Sequence, residues 1–148
     1  MEQLEARLET MQKYQTAEEL KESLPKGTTS MVKGCFKALA NEQLNGEYFL
    51  GAFVGNVQGI NVVGSKKDAG TTGIMAITNK RLIFIGKLLF NTKIESLTWS
   101  NFDSYSAQKG MLFGEITAMS RGGHKLRVTS IDKKVWQQGK QLLDELTM

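Results

Sequence analysis

The run Ile77-Thr78-Asn79-Lys80-Arg81-Leu82-Ile83-Phe84-Ile85 joins two apolar, β-branched segments through a short polar turn, the pattern of a β-hairpin. With Asn79-Lys80 as a two-residue turn, Ile77 opposes Leu82 and Met75 opposes Phe84 on one face. Ala76 then opposes Ile83, and Ile74 opposes Ile85, on the other. Asn79 tolerates the left-handed backbone of a tight turn and Lys80 does so poorly. A longer turn with a bulge is therefore an equal alternative, which leaves the register open by one residue. With the two-residue turn both faces of the hairpin are apolar. One face can fill a sandwich, and the other needs a cover, either from the chain's own helices or from a second copy.

The segments around the hairpin complete a mixed chain with helices first and strands after. Leu4, Leu8 and Met11 recur at helical spacing in a Glu-rich stretch. Thr16-Ala17-Glu18-Glu19 has the form of a capping box that starts a second helix, which ends before Pro25. Thr28-Thr29-Ser30 offers caps for a third, with Val32, Cys35, Phe36 and Leu39 on one face. Glu47 to Val54 reads as a long first strand, and the glycine-rich Gly55 to Gly73 as a loop or an irregular extension of the flanking strands. Leu97 to Trp99, Phe102 to Tyr105, Phe113 to Met119 and Lys125 to Thr129 supply later strands, with Arg121-Gly122-Gly123-His124 as a hairpin turn. After a cap at Ser130 or Asp132, the residues Val135, Trp136, Gly139, Leu142, Leu143 and Leu146 make one wide apolar stripe on a closing helix. Gly139 within that stripe predicts close approach to a neighbouring backbone.

The Thr78-Asn79-Lys80-Arg81-Leu82 signature follows an apolar strand and precedes a polar segment, Gly110-Met111-Leu112-Phe113-Gly114-Glu115-Ile116-Thr117, a Gly-Gly turn and a terminal helix. Over roughly residues 45 to 147 this order resembles the YokE-like bacterial pleckstrin-homology (PH-like) domains. The resemblance implies an α+β, mainly β fold: a bent antiparallel β-sandwich or half-open barrel capped by a C-terminal helix. Residues 1–44 would form an α-helical N-terminal extension and residues 45–148 the PH-like domain. It also implies a bacterial or phage-borne protein and carries no activity with it.

Composition narrows the function classes. A 148-residue chain with one proline fits one globular unit. Cys35 is the only cysteine, so no intramolecular disulfide or thiol pair exists, and a cytoplasmic setting is expected. No secretory signal and no apolar run near the ~18 residues of a membrane span is apparent. Residues 48–131 carry ten basic and four acidic side chains, whereas residues 1–47 carry six and eight. That excess suits an anionic surface or an acidic partner, with a solvated face as the plain alternative.

No acid pair, Ser/His/Asp set or metal-ligand cluster stands at interpretable spacing, so no enzyme, cofactor, metal or small-molecule substrate is expected. His124 reads as a turn residue and Cys35 as a buried hydrophobe. Gly64 to Gly73 lacks the Gly-Lys-Ser/Thr ending of a phosphate loop. Aromatic and basic residues do not interleave on one face, which disfavours nucleic acid. The expected function is a non-enzymatic interaction module that mediates protein–protein binding or self-association. The alternative is a peripheral membrane adaptor that binds anionic headgroups through Lys66, Lys67, Lys80 and Arg81. Of these, Lys66 and Lys67 are singled out by the resemblance, since pleckstrin-homology domains that bind phosphoinositides use basic residues between their first two strands.

Overall fold

In a computed structural model that describes residues 2–59 and 70–148, three helices precede seven strands and a fourth helix closes the chain. The helices are α1 (Glu2–Glu9), α2 (Ala17–Ser23) and α3 (Lys33–Glu42). The strands are β1 (Phe49–Gln58), β2 (Thr71–Thr78), β3 (Arg81–Leu88), β4 (Asn91–Thr98), β5 (Phe102–Lys109), β6 (Phe113–Ser120) and β7 (Lys125–Asp132), followed by α4 (Lys133–Thr147). The strands form one antiparallel sheet in the order β4-β3-β2-β1-β7-β6-β5, which does not close. β1 is shared between the two halves: its length pairs with β2, while only Asn56, Val57 and Gln58 pair with β7. Gly55 sits at this handover, where a Cβ would come within 2.2 Å of the Thr129 carbonyl. Only glycine lets the two backbones approach so closely.

The β2–β3 register settles on the two-residue turn. Ile77 faces Leu82, Ala76 faces Ile83, Met75 faces Phe84 and Ile74 faces Ile85. Both faces are covered. On the inner face Met75, Ile77, Leu82 and Phe84 pack with Phe53, with Ile116, Leu126 and Val128 of the other half, and with Val135, Trp136 and Leu143 of α4. On the outer face Ile74, Ala76, Ile83 and Ile85 pack under Leu20 of α2 and Val32, Cys35, Phe36 and Leu39 of α3. The N-terminal helices therefore supply the cover that the hairpin's second apolar face requires, each large side chain contributing about 1.5–3 kcal/mol by leaving water.

Local capping explains where the helices begin. Thr16 accepts from the Glu19 amide at 3.1 Å, and Glu19 reaches back to the Gln15 amide at 2.9 Å, one residue earlier than a capping box places it. α3 differs from expectation: it starts at Lys33 behind Val32, without a side-chain cap, so Thr28 to Ser30 lie in the preceding turn. Asp132 rather than Ser130 caps α4, accepting from the Lys134 amide at 3.0 Å. Gly139 admits a side chain, not a backbone: a Cβ there would lie 2.3 Å from the Phe53 ring. The first strand runs to Gln58, four residues beyond Val54, and β4 begins at Asn91 in a polar stretch that shows little strand pattern. α1 lies against α4, with Arg7 Nη1 donating to the Leu146 carbonyl at 3.0 Å.

Candidate binding surface

The polar residues of the β2–β3 turn are bound into the fold. The Arg81 guanidinium, from a residue only 8% exposed, makes a two-pronged pair with Glu47, which is 4% exposed. Nε donates to Oε2 at 3.0 Å and Nη2 to Oε1 at 3.1 Å, while Nη2 also reaches the Glu42 carbonyl at the end of α3 at 2.9 Å. Thr78 Oγ1 donates to Glu47 Oε2 at 2.8 Å and accepts from the Arg81 amide at 2.9 Å. Asn79 accepts from the Tyr48 amide at 2.8 Å and donates to the Gly46 carbonyl at 3.1 Å. Thr78, Asn79 and Arg81 thus clasp the hairpin to the start of β1 and the end of α3. Burial alone would raise the Glu47 carboxyl. Hydrogen bonds from Arg81, the Leu44 amide and Thr78, with the Arg81 charge, outweigh burial and hold it below its ordinary value.

The two edges of the sheet are guarded differently. β4 carries Lys93 and Glu95 along its middle, and Glu95 is bonded to His124 at 2.8 Å. Charged side chains on an edge discourage pairing with a further strand. On β5, Ser104-Tyr105-Ser106-Ala107-Gln108 holds neither a charge nor a proline. The Gly110 amide bonds to the Phe113 carbonyl, which sets the alternation along the β5–β6 ladder. By that alternation the backbone groups of Tyr105, Ala107 and Lys109 face away from β6, and among the described residues no strand lies beyond them. A groove of about 500 Å³ runs beside this edge, lined in part by Trp99, Phe102, Tyr105, Leu4, Leu146 and Met148. Tyr105 bonds through its hydroxyl to Asp144 of α4, fixing one wall. Trp99 fixes another, donating to the Thr78 carbonyl at 3.0 Å and meeting Phe102 edge-on at 5.4 Å.

A family model described as Bacterial PH domain matches residues 45–143. The chain belongs to the bacterial PH domain family. Among solved structures, this PH domain is similar to the C-terminal domain of an unknown protein from Leishmania infantum. The two are 17% identical, with 78% of this chain and 94% of that chain covered and a TM-score of 0.50, a likeness that shows the fold alone. A search of curated proteins finds no match. The open seven-stranded sheet with α4 at its mouth is thus a PH-like α+β fold, of a family that commonly mediates binding.

The cationic residues expected to meet an anionic ligand are not brought together by the described structure. Lys66 and Lys67 lie outside the described residues. Lys80 is exposed at the β2–β3 turn, whereas Gly59 and Gly70, which flank residues 60–69, lie at the far end of the eight-residue β2. That strand spans about 26 Å. Arg81 corrects the sequence expectation, because its guanidinium is committed to Glu47 and the Glu42 carbonyl and does not face solvent. Its acidic partner lies 34 residues away, beyond the reach of any local pattern. Arg127 pairs with Glu115 at 2.7 Å, and Arg121 Nε donates to the Ser100 carbonyl. Cys35 is buried, and burial pushes its thiol up to about 11 against the opposing pull of Lys87, the behaviour of a packed hydrophobe rather than a nucleophile. Among the described residues no group of His, Cys, Asp or Glu is arranged to hold a metal ion, and no helix is long and apolar enough to cross a membrane.

Proposed function

We propose that this PH domain is a non-enzymatic protein-binding module of the YokE-like kind, acting in the cytoplasm by strand addition at β5, and that the strand it takes is β5 of a second copy. The observation that carries this reading is the run Ser104 to Gln108, an uncharged edge with backbone donors and acceptors turned outward. Antiparallel pairing of two such edges about Ser106 sets Tyr105 opposite Ala107, both with outward backbone groups. The same register brings Asp103 of each copy to Lys109 of the other, so the end charges are complementary. Ser104, Ser106 and Gln108 keep the outer face of the joined sheet polar.

Sedimentation velocity over a range of concentrations tests the proposal. The wild-type chain should form a concentration-dependent dimer. Ala107→Pro, which removes an outward amide that β6 does not use, should remain monomeric with its fold intact. Asp103→Lys and Lys109→Asp should each weaken the dimer, and the double swap should restore it. A wild-type chain that stays monomeric throughout, or a dimer indifferent to Ala107→Pro, overturns the reading.

A further inference from the structure

The β3–β4 turn is built against the interests of the folded chain. Leu88 pairs with Asn91, so Leu89 and Phe90 are the whole turn. Phe90 is 99% exposed and Leu89 80%. Leu89 also has a φ of 56°, a left-handed backbone that a Leu side chain disfavours and that Gly or Asn adopts readily. Strain at Leu89 and the exposure of both side chains give the fold nothing in return.

The surroundings indicate what the turn meets. Lys87 lies one step down the ladder on the outer face, its Nζ beside Gly34 at the start of α3. Lys93, paired with Gly86, lies two steps down and on the inner-face side, in line with Leu97. No acidic residue stands between Lys87 and Lys93, and Glu95 is already bonded to His124. An apolar point thus projects beyond cations on both faces, set one and two strand steps of about 3.4 Å below the closing pair. That level matches the ~5–10 Å to which interfacial segments bury while lysines stay with the headgroups. A protein interface suits the turn less well. Two side chains on a convex tip offer at most roughly 400 Å², against about 800 Å² per partner in a stable complex.

We infer that the β3–β4 turn is a membrane-insertion tip, with Leu89 and Phe90 entering the interface of an anionic bilayer and Lys87 and Lys93 holding its headgroups. These residues are distinct from Lys66, Lys67, Lys80 and Arg81, and from the β5 edge.

The test is co-sedimentation of the full chain with phosphatidylserine-containing phosphatidylcholine vesicles and with phosphatidylcholine vesicles alone. The wild type should pellet with the first, less so as salt rises. The paired substitution Leu89→Gly with Phe90→Ser places glycine at the left-handed position. It should lower the partition by at least about tenfold while leaving the thermal midpoint unchanged or higher, so lost binding is separated from lost fold. Lys87→Ala and Lys93→Ala should each cost about fivefold. Leu112→Ser, in the exposed apolar β5–β6 turn where β5 runs the opposite way along the ladder, should cost nothing. A wild type that ignores anionic vesicles, binding retained by the paired variant, or an equal loss from Leu112→Ser overturns the inference. The first of these outcomes would leave a protein as the turn's partner.

Discussion

The two halves of this sheet are built to different specifications. The β1–β4 half is apolar on both faces, buried inside against α4 and outside under α2 and α3, and is locked at one end by the Glu47–Arg81 pair. The β5–β7 half is covered on its inner face alone. Its outer face is polar, its Arg127–Glu115 pair is part-exposed, and its edge strand carries no charge from Ser104 to Gln108. One half invests in stability, and the other leaves backbone and surface free for an encounter. The proposed binding face lies on the second of these halves.

Substitutions should reproduce the asymmetry. The largest difference is expected between the two ion pairs. Arg81→Ala should cost about 3–5 kcal/mol in urea unfolding, because Glu47 is left buried without a partner. Arg127→Ala should cost about 0–1 kcal/mol, as exposed pairs do. Equal costs would break the comparison. Next are the outer faces themselves: Leu39→Ala in the α3 cover should cost about 2–5 kcal/mol, whereas Ser106→Ala on the bare face should stay within about 0.5 kcal/mol.

A pH series sharpens the same contrast. The folded-state Glu47 carboxyl titrates below its ordinary value of 4.5. Its contribution to stability is therefore complete above that value and is lost as pH falls through the folded one. Glu47→Gln should flatten this acid arm of the stability curve. Ala107→Pro should cost only about 1 kcal/mol or less, despite its decisive effect on pairing.

Much of the β1–β4 half could be read from residues near in sequence. Ile74 to Ile85 specify a two-sided apolar hairpin, and the stripes on α3 and α4 are plain because each is a local period. Three features escaped for physical reasons. Arg81 resembles a turn cation until Glu47 is brought beneath it by tertiary structure. β4 starts in Asn91-Thr92-Lys93, where an edge strand has no apolar alternation to show. Leu88-Leu89-Phe90 looks like the continuation of a buried strand, and only the turn geometry reveals that two of those side chains point to solvent. The open edge of β5 was invisible for a related reason, since exposure of backbone is a property of the sheet and not of any residue in it.

Residue-resolved hydrogen exchange at the Tyr105 and Ala107 amides, followed as protein concentration rises, tests the central claim most directly. Strand addition at β5 predicts protection of these two amides that grows with concentration and no such change along β4. Exchange at Tyr105 and Ala107 that stays independent of concentration would contradict it.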